Sequence, residues 1–473
     1  SRARASLLNS RPRAGAGGIP GKLQSVSKAV SEFRIDQAGL ESMVRTALAS
    51  AAAHGASEAE AGVSVGTGLS VTVRRGSVET LEHQRDRSFA LTVYFGHRKG
   101  SASTSDLSED AIEETVAKAC SIASHTAEDP CAGLADAALM AVDPPDLALD
   151  HPWPLTPDEA IETATACERA GLEADERISN SEGGSLSTGR SLRVYGNSHG
   201  FLGGYPSSSH SLSCVLVAGT GDGMERDYWY TSGRDPAALQ SPEEVGRRAA
   251  ERTLMRLGSR RLSTRSAPVI FPAELARGLI GHFVSAILGT SQYRESSFLL
   301  DALGERVFPE FVTIAEQPHI PGAAASAPFD NEGVATRERD VVREGLLESY
   351  VLGSYSARRL GLQTTGNAGG IHNLVVSHGG RGRADLMRTM GSGFLVNEVM
   401  GQGVNVVTGD YSRGASGYWV ENGEIAFPVS EVTIAGNLRD LFRSLVEVGG
   451  DVDTRGAVRC GSILLEKMTI AGT

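Results

Sequence analysis

Cysteine is scarce in this chain of 473 residues: Cys120, Cys131, Cys167, Cys214 and Cys460 are odd in number, widely scattered and free of any C-x-x-C pair. That excludes a disulfide framework and a cysteine-rich zinc knuckle, and it fits reduced thiols in a cytoplasmic protein. Long apolar runs are missing too. No stretch of 18 consecutive apolar residues occurs, so a helical membrane span is not expected. Positive charge is in deficit, with 45 Lys and Arg against 57 Asp and Glu and a net charge of −12. A nucleic-acid partner, which needs clustered Lys and Arg on a broad surface, is therefore not expected.

Three catalytic or ligand signatures also fail. Gly21-Lys22 approximates a phosphate loop, but Ala16 stands at its first glycine and Leu23 at its hydroxyl. Asp410-Tyr411-Ser412-Arg413-Gly414 has Asp410 at the first glycine of a nucleophile elbow. It reads instead as an acid, a hydroxyl and a guanidinium in one tight turn, an Asp–Arg clamp or interface patch. Asp330, Glu332, Glu338 and Asp340 lack the alternation of a calcium loop and read as a solvated surface loop.

Glycine, by contrast, is plentiful at 56 residues, which suits many tight turns between short strands. Residues 1–35, rich in Arg, Ser and Gly, read as a disordered extension whose composition resembles a transit peptide. From Asp36 the pattern is globular and α+β: an N-terminal domain over 36–257 and a C-terminal one over 266–473, joined by the basic linker Gly258 to Arg265. The first half reads as an antiparallel sheet with packed helices. Its strands are expected at Gly62 to Arg74, Phe89 to Tyr94, Ser191 to Tyr195, Ser211 to Val217 and Arg226 to Thr231. Its helices are a first amphipathic one from Leu40, then Asp106 to His125, Pro157 to Asp175 and Pro242 to Leu257. The second half reads as β-rich and curved, with a type I′ hairpin at Asn422-Gly423 and a helix from Asn437 to Val448.

The Gly-rich segment Thr364 to Asn373 has two readings, the wall of a peptide groove or a turn holding a sheet corner. His282, among Phe283, Val284 and Ile287, reads as a packed core or groove histidine, and Cys460 as a buried structural thiol.

Several blocks, in this order, carry a resemblance: Thr104 to Ser108, Asp129-Pro130-Cys131-Ala132-Gly133, Gly221 to Tyr230, Ala267 to Phe271 followed by Leu279 to Ala286, Tyr355 to Gly361, Thr364 to Gly370, Asp410 to Gly414, and Met468 to Gly472. Together they resemble the TldD/PmbA family, also called modulators of DNA gyrase, on its PmbA (TldE) branch. In the TldD branch a helix carries H-E-x-x-x-H, which binds zinc and supplies a general base; here Gly281, His282 and Ala286 occupy those three positions. On an ideal helix the two outer positions point about 140° apart, and a hydrolytic zinc needs three protein ligands beside an open position. The resemblance therefore implies no catalytic residue, metal or cofactor on this chain. It implies zinc on a TldD-like partner, with the complex processing or degrading flexible peptides such as peptide-antibiotic precursors and antitoxins. A non-hydrolytic regulatory homodimer is the alternative. His282, Tyr355, Arg358, Thr365, Gly366, Asn367, His372, Asp410 and Arg413 are the candidates for the substrate groove or the subunit interface.

Overall fold

The computed structural model describes residues 36–472, so the expected extension at 1–35 lies outside the described residues. Helix α1 (Gln37–Ala53) is capped by the Asp36 carboxylate, which accepts from the Gly39 amide. Then come β1 (Glu58–Arg74), β2 (Ser77–Phe95), β3 (Arg98–Thr104), α2 (Glu109–His125), α3 (Pro157–Leu172), β4 (Ile178–Asn197), β5 (Leu202–Ala218), β6 (Glu225–Gly233) and α4 (Pro242–Met255). The six strands form one antiparallel sheet in the order β3-β2-β1-β4-β5-β6.

Alternation along β1 explains how that sheet is covered. Ala59, Ala61, Val63, Leu69, Val71 and Val73 all turn to one face and are buried. At one end they pack against Val44 and Ala47 of α1 and Val116 and Ala119 of α2; at the other, against Ala160 and Ala164 of α3 and Val245 and Ala249 of α4. A fully buried valine or leucine contributes roughly 1.5–3 kcal/mol, so each helix pair is fixed chiefly by its small apolar stripe. α3 is also fixed locally, by the capping box between Thr156 and Glu159.

The strands are much longer than their sequence signal. Residues 77–88 of β2 are exposed throughout, so no apolar alternation marks them; only from Phe89 does burial alternate. β4 and β5 are interrupted by Ser and Gly, poor strand formers held here by ladders on both sides.

The second half supplies β7 (Arg265–Phe271), α5 (Ala273–Ile287), α6 (Gly289–Tyr293), β8 (Ile314–Glu316), β9 (Arg339–Arg343), β10 (Leu346–Leu347), α7 (Ser354–Arg359), β11 (Leu374–Val376) and α8 (Arg383–Met390). It ends with β12 (Gly393–Met400), β13 (Asp410–Glu421), β14 (Glu424–Asn437), α9 (Leu438–Arg443), β15 (Leu445–Val448), β16 (Val458–Arg459) and β17 (Ile463–Ala471). The larger sheet runs β14-β13-β12-β7-β17-β15, and a further pairing of β14 with β17 curls it into a near-closed ring. β7 shows why it has two packed faces: Val269 and Phe271 meet α5 through Leu279 and Phe283, while Ile270 meets α8 through Leu386 and Met390. A smaller sheet, β10-β9-β8-β11-β16, completes this half.

Asn422 and Gly423 adopt φ of 53° and 79° in the turn between β13 and β14, the signature of the expected type I′ hairpin. Three local expectations are corrected. Asp410 to Gly414 is the start of β13 and not a turn, because Tyr411 is drawn into the core and Asp410 pairs with Asn437 in the ladder. The expected helix from Asn437 to Val448 is only the short α9, and β15 takes up its second half. Asp330 is not solvated: it is 3% exposed, and its carboxylate accepts from the amides of Glu332, Val334 and Ala368. Burial, then the neighbouring Glu332 charge, push its pKa up to about 7 against the pull of those amides. Among the described residues, no helix is long and apolar enough to cross a membrane.

Candidate functional site

Helix α5 is the place to look for metal chemistry, since Gly281, His282 and Ala286 lie on it. A side chain built at Gly281 would meet nothing within 4 Å, whereas Ala286 is 0% exposed. Its carbonyl accepts from Gln292 Nε2 and Ser297 Oγ, both at 2.7 Å. One position opens outward and the other faces the core, so they do not converge on one point. His282 stands edge-on to Tyr411 of β13, ring centroids 5.9 Å apart. Burial, then the positive charge of Arg413, hold His282 below the usual histidine pKa. Among the described residues, no three His, Cys, Asp or Glu side chains are grouped to hold a metal ion. The residues present do not fit a zinc. Cys460 is fully buried, and burial pushes its thiol pKa up.

His282 has a pH consequence. An unfolded imidazole takes up a proton near pH 6.5 that the folded one resists, so its contribution is present above that value and is lost as pH falls through the lower folded pKa. We expect urea midpoints measured at pH 7.5 and 5.5 to differ less in His282→Gln than in the parent chain; an unchanged difference would contradict this assignment.

The remaining sequence candidates separate into three places. Tyr355 and Arg358, on α7, reach back to the Asp129-Pro-Cys-Ala-Gly segment. The Tyr355 hydroxyl donates to Asp129 Oδ2 at 2.7 Å, and Arg358 donates to the carbonyls of Cys131 at 3.1 Å and Gly133 at 3.0 Å, and to that of Leu134. Two motifs more than 220 residues apart are thus one clamp holding the connecting arm to the second half. Arg358→Ala should destabilise the chain by about 1–3 kcal/mol, because a charged donor to several carbonyls is lost; thermal unfolding of the variant checks this.

Thr365, Gly366, Asn367 and His372 sit in the loop that leads into β11. Asn367 and His372 are buried. Glu316 accepts from Asn367 Nδ2 and the His372 amide, both at 2.7 Å, and from Arg339 Nε at 2.8 Å. Thr365 Oγ1 receives the Leu352 amide, and His372 Nε2 lies 3.0 Å from the Gly366 carbonyl. Gly366 and Gly369 have φ of 72° and 101°; a Cβ there would stand 2.9 Å from the Ala335 oxygen and 2.1 Å from Asn331 Nδ2, respectively. Tryptophan at either position therefore disturbs the fold itself, so it is no clean probe of a groove.

Asp410 and Arg413 do not clamp one another. Asp410 accepts from Thr408 Oγ1 and Asn437 Nδ2, while Arg413 reaches the Val399 carbonyl at 3.4 Å and leaves its buried Nε unpartnered. Arg413 thus joins His282 and Tyr411, an arrangement with a cation and no carboxylate base.

A cleft of about 1140 Å³ between β6, α4 and the second half was not foreseen. Trp229 of β6 lies in it, with the guanidinium of Arg248 4.0 Å and that of Arg455 4.7 Å from its ring centre. Deeper, Arg252 and Arg256 bind Glu274 and Glu398 and tie α4 to the second half, while Asn397 donates to the buried Asp227 at 2.8 Å. The signal was present in the sequence: Arg248, Arg252 and Arg256 recur every fourth residue, on one helix face.

Comparison with known proteins agrees with this architecture. Three family models match in chain order: PmbA/TldA metallopeptidase domain 1 over 59–123, the central domain over 150–257 and the C-terminal domain over 264–472. The chain is 53% identical to metalloprotease PmbA of Escherichia coli O157:H7, covering 94% of this chain and 99% of that one. It is 51% identical to a metalloprotease PmbA homolog of Haemophilus influenzae, covering 88% and 92%. A crystal structure of a putative modulator of DNA gyrase from Bacteroides thetaiotaomicron superposes with a TM-score of 0.86 at 29% identity, over 91% of this chain and 98% of that one. TldE from Thermococcus kodakarensis shares the fold, with a TM-score of 0.79 at 20% identity over 91% and 100%. With domains of this kind in this order, and such identity along nearly its whole length, the chain belongs to the PmbA/TldD family of metallopeptidases.

Proposed function

We propose that this chain is the metal-free subunit of a two-chain peptidase, in which a TldD-like partner carries the zinc and this chain forms part of the chamber that holds a flexible peptide. One observation carries the reading: on α5, Gly281 offers no ligand, Ala286 is sealed in the core, and His282 faces Tyr411 and Arg413 in place of a carboxylate base. Hydrolysis of an amide by a metal site needs several ligands and a proton acceptor together, and this helix supplies a single histidine with no second ligand and no carboxylate beside it. Family membership and the PmbA names of the relatives support a role in proteolysis. The substrates on this reading are unfolded or extended peptides such as antibiotic precursors and antitoxins, and the complex is cytoplasmic.

Association is the direct test. The purified chain, mixed with a zinc-bearing TldD-type member of the family and run on size-exclusion chromatography with light scattering, should move into a mixed complex. A chain that stays entirely with its own copies under those conditions contradicts the proposal and favours the regulatory homodimer.

A further inference from the structure

The charges around the Trp229 cleft are not balanced. Each lining carboxylate is already engaged: Asp235 caps the Ala237 amide, Glu274 accepts from Arg252, Asp451 accepts from Ser462, and Asp453 is held bidentately by Arg455. Arg234 is spent on the carbonyls of Ser208, Ala323 and Ala324. Three lining guanidiniums are left over. Arg248, Arg383 and Arg459 make no hydrogen bond or ion pair among the described residues; Arg248 only stacks on Trp229. Burial lowers the Arg248 pKa; the Glu274 carboxylate pulls it back up, and the charges of Arg383, Arg252 and Arg455 lower it further. The lining carries five arginines against four carboxylates, and these three guanidiniums keep their donors free for an anion.

We infer that this cleft binds a carboxylate carried on an extended chain, through Arg248, Arg383 and Arg459. The guanidinium fork matches a planar carboxylate with two parallel hydrogen bonds. The rest of the cleft suits a chain more than a bare ion. Its volume of about 1140 Å³ exceeds the usual range for a drug-sized ligand, and Ile320, Pro321, Ala324 and Met387 give it apolar wall beside the hydroxyls of Ser209 and Ser232. The carboxylate is either the C-terminus of a peptide or an acidic side chain. That the carrier is a peptide rests on the function proposed above; the anion subsite does not.

The test uses the full chain without any partner, so its outcome does not depend on zinc or on hydrolysis. Trp229 fluorescence, with Trp229→Phe as the control for the other tryptophans, reads the binding of tetraglycine, of tetraglycine amide, and of a Gly-Gly-Asp-Gly amide. At least one carboxylate peptide should bind about tenfold or more tightly than tetraglycine amide, since a charged hydrogen bond is worth about 1.5–3 kcal/mol. Preference for tetraglycine identifies the C-terminus, and preference for the Asp peptide identifies a side chain. Arg383→Gln with Arg459→Gln should abolish the preference while leaving unfolding midpoints near the parent values, because neither side chain has an internal partner. Equal binding of all three peptides, binding of none, a preference that survives the double variant, or inorganic phosphate binding as tightly as the best peptide would each overturn the inference.

Discussion

Alone, the chain is expected to leave an unstructured peptide intact at the background rate; with a zinc-bearing TldD-type subunit added, hydrolysis should rise by several orders of magnitude. Enzymes typically gain ~10⁶ or more over the uncatalysed reaction, and α5 of this chain offers only a lone histidine, with no second ligand and no carboxylate base beside it. Single-turnover measurement of a fluorogenic unfolded peptide, with each subunit alone and with both, distinguishes the cases. Activity of the isolated chain that survives repurification would place a catalytic site on it, and full activity of the partner alone would remove this chain from the chamber.

Restoring the missing motif should fail, and for a structural reason. In Gly281→His/His282→Glu/Ala286→His, the first side chain enters open space, but the last enters a position that is 0% exposed and surrounded by the core. Overpacking costs about 1–3 kcal/mol and an unpartnered buried polar group about 1–3 more. The triple variant should therefore lose about 2–6 kcal/mol of stability in urea and still not hold zinc tightly, because ligands also need partners that orient them. Near-parental stability together with peptidase activity would mean that the helix can turn both positions toward one metal.

What was legible in the sequence follows from where physical constraints are local. The Asn422-Gly423 turn and the apolar stripe of α1 depend on a few neighbouring residues, and they are found where the pattern puts them. The length of β2 was hidden because residues 77–88 bury neither face, and the part of β4 before Ser191 was hidden because its Ser and Gly are held by neighbours and not by propensity. Where contacts are long-range, the sequence shows the candidate residues and not their partners. Tyr355 and Arg358 meet Asp129 to Leu134, and Asn367 and His372 meet Glu316, which Arg339 also reaches. Asp410 and Arg413 share a short motif, yet the strand between them sends them to different partners. The arginines of the Trp229 cleft come from α4, α8 and β16, and no local window unites them.

Zinc content weighs most directly on the division of labour between the two chains. Elemental analysis of the isolated chain and of its complex with a TldD-type subunit, each after dialysis against a weak chelator, should give well under one zinc for the former and about one per pair for the latter. One tightly held zinc per isolated chain, lost on His282→Ala, would contradict it.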